Sequence, residues 1–269
     1  MVFPAPKNPE STVTGNLFVI ADNSHSRLLM IYYIILQMLT YFFILWKGIF
    51  HITDIYFKTK CSADLKSYDN RIVRLAIVER ELPEEAHKFF LQLIREPFNV
   101  FGKISKSSAL TSIETMLSNI ISNSIQKNPF YAYWLRDMAD ICALFCEMEN
   151  SSSIGFSLGT DRGCRRFHID QVPQRLLVTY SGKGTEWLPE DHANYHEYFN
   201  GSPNEQIVKQ NCKTQFINQW DIAVFHGGPS GLLHRTPDEA LEKLSILMRL
   251  DHESFWDSMI DKRQSLSTN

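Results

Sequence analysis

Two histidines and one aspartate in the C-terminal half of the chain have the types and the spacing of a metal-binding set. His168 and Asp170 lie two residues apart in the sequence FHID. Because side chains alternate along a strand, the imidazole and the carboxylate would project from one face and could share an ion. His234 follows the glycine-rich turn 227–231, which gives the chain a route back to the same place. Two histidines with one carboxylate predict a non-haem Fe(II) centre that keeps coordination positions open.

Cys164 would extend this set if it lies on the same strand face. It precedes His168 by four residues, so alternation places its thiol beside the imidazole and the Asp170 carboxylate. A thiolate ligand would favour zinc and a closed four-ligand site over Fe(II). The other interpretation is a small buried apolar residue, as free cysteines commonly are. Two hypotheses therefore stay open: an Fe(II) enzyme, or a non-catalytic zinc-binding or metal-homeostasis protein.

Each of these residues also has a purely structural interpretation. The chain has nine histidines, and a single histidine is more often a hydrogen-bonded structural residue than a ligand. Glu186, in the sequence GTEW, is a candidate catalytic acid or base, or a carboxylate fixed by the turn beside Trp187. A third hypothesis is a cupin-like interaction module, which predicts that His168, Asp170 and His234 never converge.

Three motifs carry a resemblance to a known family. They are CRRFHIDQVPQRLLVTY at 164–180, GKGTEWLPE at 182–190 and GLLHRTP at 231–237. In this order they closely resemble the DUF1826 family, a family without an assigned function. The resemblance covers about residues 150–252 and, more weakly, 54–81, whereas the stretch from about 16 to 50 does not look like that family.

The resemblance implies a fold and a co-substrate. The family's His-x-Asp and later histidine are similar to the metal triad of the 2-oxoglutarate-dependent oxygenases, which have a double-stranded β-helix. Such oxidoreductases bind the distal carboxylate of 2-oxoglutarate with a cation. Arg249, 15 residues after His234 in the last apolar run, is the first candidate for that salt bridge. Arg175 is the second. The family's usual basic residue just before this run is replaced here by Leu244 and Ser245, a departure from the family pattern that counts against the assignment of Arg249.

The elements that must position these residues change in character near residue 150. Before it, a short strand precedes a helix beginning near residues 82–85, and apolar spacing predicts helices at about 108–125 and 131–148. After it, short apolar runs separated by turn residues predict several strands. We therefore predict an α+β fold, with a helical N-terminal half packed on a jelly-roll or cupin-like double-stranded β-helix.

The predicted organisation has four parts. They are an N-terminal extension at 1–50, a mainly helical part at 51–149, a β-rich core at 150–252 and a tail at 253–269. Residues 28–46 are 19 uncharged residues in succession, about the length that crosses a bilayer, and form a candidate transmembrane segment. The flanking Arg27 and Lys47 weakly favour a cytosolic C-terminal bulk. The alternatives are a buried helix, a signal-like segment, or sequence outside the mature protein.

Composition narrows the functional classes. A formal net charge of -3 without a dense basic run argues against nucleic acid as the partner. The chain has no P-loop, GxGxxG or GxSxG motif, which argues against nucleotide-dependent and ordinary serine-hydrolase chemistry. Five cysteines without a CxxC pair fit a reducing compartment. We expect a cytoplasmic protein, membrane-anchored if 28–46 spans a bilayer, that acts on a small-molecule or protein substrate.

Overall fold

The computed structural model describes residues 55–67, 72–95 and 97–255. The candidate membrane segment at 28–46, the rest of the extension at 1–50, and tail residues 256–269 lie outside the described residues. Within the described ranges, no helix has the length and apolar character needed to cross a bilayer.

A seven-stranded sheet forms the centre of the fold, with the strand order β1-β2-β8-β5-β10-β4-β3. The pairing of β1 with β2 is parallel and the other pairings are antiparallel. Strand β10, which follows the other strands of the described residues in sequence, lies between β5 and β4. The strands are β1 (Tyr56–Thr59), β2 (Leu75–Val78), β3 (Asn99–Ser105), β4 (Ser153–Gly159), β5 (Gln174–Ser181), β8 (Ile222–His226) and β10 (Ile246–His252).

Helices pack on one face of this sheet. The longest, α4, begins at Pro129 after the cap residue Asn128, whose side chain accepts a 2.9 Å hydrogen bond from the Phe130 amide. Its apolar residues recur every three or four positions and join the strand residues of that face in one core. The helices in the N-terminal half are α1 (Ala86–Leu93), α2 (Ala109–Ser118), α3 (Asn123–Gln126) and α4 (Pro129–Met148).

A small sheet covers the other face. It has the order β7-β6-β9, with β6 at Glu186–Trp187, β7 at Gln215–Phe216 and β9 at His234–Arg235. Trp187 packs with Leu177 and Phe225 of the large sheet in a second apolar cluster. Short helices complete this layer: α5 (Tyr195–Phe199), α6 (Asn204–Ile207) and α7 (Asp238–Glu242). The two sheets therefore enclose an apolar layer between them, and the site lies in this layer.

The predicted mixture of helices and strands is confirmed, and three details differ. Strand β2 is the short strand predicted before the first helix, but β1 and β3 were not predicted, and the large sheet combines all three with strands from after residue 150. The helix predicted at 108–125 ends at Ser118 and is followed by the separate turn of α3. The strand predicted over 164–170 is an irregular segment that pairs through an isolated bridge at His168. The double-stranded β-helix and the division at residue 150 stay predictions.

Candidate metal centre

Two distant chain segments meet at His168 and His234. The amide of each residue donates a 3.0 Å hydrogen bond to the carbonyl of the other, which is the hydrogen-bonded pair of an antiparallel ladder. Side chains of such a pair project from the same side, and here the ring centroids are 4.5 Å apart. His234 begins β9, which pairs with β6, so the small sheet sets its position. The predicted convergence of the two histidines is therefore observed.

A glycine-rich turn positions the backbone of Asp170. The amide of Gly228 donates a 2.7 Å hydrogen bond to the Asp170 carbonyl. Gly227 comes so close that a Cβ there would lie 2.0 Å from the Val172 carbonyl oxygen and 2.5 Å from that of Asp170. Gly228 itself has φ +74°, a conformation that favours glycine. The turn that the sequence suggested as a route back also fixes the aspartate.

The donor atoms of the three side chains form one cluster. Nε2 of His234 lies 3.2 Å from Oδ2 of Asp170, and Nε2 of His168 lies 3.8 Å from Oδ1. One ligand atom from each residue lies within 4.8 Å of the other two. The side chains of Asp170 and His234 are 2% and 4% exposed, whereas that of His168 is 29% exposed. Solvent therefore reaches the cluster from the His168 side.

Backbone carbonyls set the tautomers of both histidines. Nδ1 of His168 lies 3.1 Å from the Arg166 carbonyl, and Nδ1 of His234 lies 3.0 Å from the Leu232 carbonyl. A carbonyl oxygen can only accept, so Nδ1 carries the proton in each ring. In the neutral rings both Nε2 lone pairs therefore face the Asp170 carboxylate. This arrangement places three electron-pair donors together and fits a metal cation better than a set of mutual hydrogen bonds.

Charges around the cluster act on its titrating groups. Burial raises the pKa of Asp170, but the opposing effects of His234, Arg175 and His168 are larger in total and lower it to about 2. Burial lowers the pKa of His168, but contacts with the Cys164 thiol, the Arg166 carbonyl and Asp170 raise it overall. Asp170 is therefore ionised across the physiological range, as a metal-ligating carboxylate must be.

Cys164 lies beside the cluster without belonging to it. Among the described residues, the cluster of close ligand atoms contains His168, Asp170 and His234 and not Cys164. The residue is exposed, so the interpretation as a buried apolar residue is wrong. Its φ of +60° interrupts the extended backbone, and strand alternation therefore does not place it. A hydrogen bond with the His168 ring lowers the pKa of the thiol and outweighs the raising effect of burial.

Glu186 lies on the wrong face for a catalytic role at the cluster. In the ladder of the small sheet, Trp187 pairs with His234 and Glu186 pairs with Arg235. Because neighbouring residues alternate, Glu186 and His234 project from opposite faces. The buried Glu186 carboxylate accepts a 2.6 Å hydrogen bond from Nε of Arg235. The structure therefore gives Glu186 an ion pair and does not bring it to the cluster of His168, Asp170 and His234.

The two candidate co-substrate residues belong to one chain of ion pairs. Arg175 donates through Nη1 to Oδ1 of Asp170 and through Nε to Oδ1 of Asp251 at 2.7 Å. Nε of Arg249 donates to Oδ2 of Asp251 at 2.7 Å. The ring of Phe255 lies 5.4 Å from both guanidinium carbons. Arg175 is thus already engaged by two carboxylates of this chain.

Sequence reasoning missed two residues near the cluster. Asp251 is fully buried in β10, and an acidic residue in the apolar run SILMRLDH was a usable signal for a buried partner. Phe225 places its ring centroid 4.4 Å from that of His234. An aromatic residue in an apolar strand carries no comparable signal, because such residues are ordinary core.

Comparisons with known proteins add a family and a remote neighbour. Residues 59–251 match the profile of the family described as "Protein of unknown function (DUF1826)". A solved structure described as an oxidoreductase of the 2OG-Fe(II) oxygenase family, from Burkholderia pseudomallei, is 8% identical with a TM-score of 0.33. The alignment covers 75% of this chain and 95% of that one. None of the curated proteins matches this chain.

Proposed function

This chain belongs to the DUF1826 family, and we propose that it is a metal-dependent oxidoreductase that uses Fe(II) and 2-oxoglutarate. The metal ligands in this proposal are His168, Asp170 and His234. The observation that carries it is the direction of the donor atoms: two carbonyl-locked rings aim Nε2 at a buried carboxylate. Histidines with a purely structural role would be expected to donate hydrogen bonds to a neighbouring carboxylate, not to direct two lone pairs at it.

The three-ligand set supports an open centre. Two histidines and one carboxylate on one side of an ion leave its remaining positions for a co-substrate and oxygen. Bound Fe(II) would supply the activation of dioxygen, with 2-oxoglutarate as the reductant. The exposed side of His168 is the direction from which a small-molecule or protein substrate would approach. Trp187 and Phe225 pack behind the cluster and exclude water from its inner side.

Arg249 is our candidate for the distal carboxylate of the co-substrate. Its side chain is 30% exposed, and it lies on β10 on the same face as Asp251. Arg175, at 11% exposure, already binds two carboxylates, which argues against a second role with 2-oxoglutarate. We include the double-stranded β-helix in the proposal, since two facing sheets with the site between them agree with it.

A zinc-binding protein without catalysis is the second candidate. The observation that favours it is the contact between the Cys164 thiol and the His168 ring, with the lowered pKa of that thiol. A rotation of the exposed side chain would add a thiolate to the three ligands and close a four-ligand zinc site. This candidate predicts stoichiometric zinc and no binding of 2-oxoglutarate.

Anaerobic titration of the full chain separates the two candidates. Fe(II) followed by 2-oxoglutarate should produce the weak visible charge-transfer band of the bound pair in the wild type. The band should vanish in His234→Ala and persist in the matched variant His192→Ala, whose ring lies elsewhere and contacts the Lys213 carbonyl. Stoichiometric zinc without a band would favour the second candidate. A wild type that binds neither metal would refute both.

A further inference from the structure

A row of residues paired across three neighbouring strands of the large sheet supports the cluster of His168, Asp170 and His234. Arg175 on β5 pairs with Phe225 on β8 and with Asp251 on β10. These three side chains therefore share the face of the large sheet that looks towards the small sheet. The ring of Phe225 contacts the ring of His234, and Arg175 donates to Asp170. Two of the three cluster residues, neither of which is in the large sheet, rest on this single row.

Acidic and basic side chains alternate along a chain of ion pairs that connects the cluster to the large sheet. Asp170, Arg175, Asp251 and Arg249 are connected in that order by hydrogen-bonded ion pairs. Two acids and two bases give no formal net charge within the group. A buried carboxylate without a cation would be costly, and Asp251 is fully buried in the centre of the sheet. The ion pair with Asp251 therefore holds Arg175 in place, and Arg175 in turn holds the Asp170 carboxylate.

The two oxygens of Asp170 have different surroundings. Oδ1 accepts from Nη1 of Arg175. Oδ2 faces Nε2 of His234 at 3.2 Å, and among the described residues no group forms a hydrogen bond of proper geometry with it. A buried carboxylate oxygen without a hydrogen bond is unusual in a folded protein. One oxygen is thus occupied, and the other is directed at the cluster.

We propose that Arg175 is a positioning residue, which occupies Oδ1 so that Asp170 presents only Oδ2 to a metal ion. This inference rests on the proposed metal centre and assigns Arg175 a role other than binding 2-oxoglutarate. By fixing the carboxylate plane, Arg175 keeps Asp170 from using both oxygens as ligands. That leaves one more position on the ion for an exogenous ligand. Asp251 holds Arg175 in place through Nε.

The test measures Co(II) affinity of the metal-free full chain by calorimetry and records the visible spectrum of the bound ion. Arg175→Gln should weaken Co(II) binding by about 10- to 100-fold, the usual effect of losing a partner of a metal ligand. It should also change the Co(II) spectrum, because a released carboxylate can bind through both oxygens. A residue that only stabilised the fold would lower the unfolding midpoint without altering the spectrum.

A matched control removes a similar ion pair elsewhere. Arg80 donates to Asp137, with side-chain exposures of 18% and 12%, and contacts no cluster residue in the structure. Arg80→Gln should lower stability while leaving Co(II) affinity within about twofold of the wild type, since no metal ligand loses a partner. Arg175→Lys keeps the charge but not the two-pronged contact, so its affinity should lie between those of the wild type and Arg175→Gln.

The outcomes separate this inference from the proposed function. If the wild type binds no Co(II), or if His234→Ala binds it equally well, the metal centre and the positioning role both fall. If His234→Ala loses binding but Arg175→Gln keeps the affinity and spectrum of the wild type, the metal centre stands and the positioning role is overturned. If Arg175→Gln does not fold, Arg175→Lys decides, and wild-type affinity and spectrum in that variant overturn the proposal.

Discussion

Acid should destabilise the metal-free protein less when Asp170 is replaced by asparagine. The buried carboxylate is surrounded by His234, Arg175 and His168, which hold its pKa at about 2, below the ordinary 3.8. Asp170→Asn keeps the size of the side chain but removes the titrating group. The variant is therefore less stable than the wild type at neutral pH, and this deficit should depend on pH.

The sign and size follow from the lowered pKa. A carboxyl group whose pKa is lower in the folded state stabilises that state fully above the unfolded-state pKa and loses the contribution as pH falls. The difference between 3.8 and about 2 corresponds, at about 1.36 kcal/mol per unit, to about 2 kcal/mol in the free energy of unfolding. The change is spread over the range from about pH 5 down to about pH 2.

Urea unfolding in the presence of a chelator, repeated across this pH range, measures the effect. The stability difference between wild type and Asp170→Asn should shrink by about 2 kcal/mol on acidification. Asp191→Asn serves as the matched control, because that side chain is 83% exposed, and its stability should follow the wild type. If Asp170→Asn and the wild type lose stability in parallel, the charges around Asp170 do not stabilise its ionised form.

Three further outcomes follow from the same structure. Glu186→Gln should lower the free energy of unfolding by about 3 kcal/mol, because it breaks the pair with Arg235, yet leave Co(II) affinity unchanged in calorimetry. Cys164→Ser should keep Fe(II) affinity within about twofold, since the thiol is outside the cluster. A zinc affinity that falls about tenfold in the same variant would instead favour the zinc-binding candidate. In mass-spectrometric alkylation of the folded protein near neutral pH, Cys164 should react before Cys142, because its thiol pKa is lowered while burial raises that of Cys142. Equal rates would contradict the exposed position and the His168 contact of Cys164.

Part of the convergence of His168, Asp170 and His234 was predictable from local patterns, whereas the pairing of His168 with His234 is a tertiary contact. The HID spacing holds His168 and Asp170 on one side, and the glycine-rich turn before His234 is a visible point of chain reversal. The prediction succeeded although the strand behind it did not form, since the bridge at His168 and the hydrogen bond from the Gly228 amide to the Asp170 carbonyl orient the two residues instead. The spacing of His168 and Asp170 was therefore a better guide to their position than the strand to which the sequence assigned them.

The roles of Glu186 and Arg175 were not predictable from the sequence. A motif shows that a carboxylate is near a candidate site, but its face depends on the register of a two-residue strand with a partner far along the chain. Arg175 depends on Asp251, which becomes its neighbour only when β5 and β10 pair. Such contacts depend on which strands pair in the tertiary structure, and a local sequence pattern does not contain that information.

The helices and strands differ in the same way: some are predicted by local sequence, and others depend on pairing with distant segments. The long helix α4 has apolar spacing, a cap and a proline at its start, and its predicted range differs from the observed one mainly by two residues at its beginning. The strands at Tyr56–Thr59 and Asn99–Ser105 lie in a region dominated by helical patterns, and they belong to the sheet only because β2 and β4 pair with them. Edge strands of this kind have weak sequence signals.

The central position of β10 has a consequence for the order in which the protein matures. Among the described residues, strand β10 comes after all the other strands in sequence, yet it joins β5 to β4 and supplies the Asp251 anchor. A ribosome-bound chain that has not yet released residues 246–252 holds two unconnected parts of the sheet, with their inner edges open to pairing with other chains. The sheet can therefore close, and the Asp170 carboxylate can gain its support from Arg175 and Asp251, only after residues 246–252 have left the ribosome.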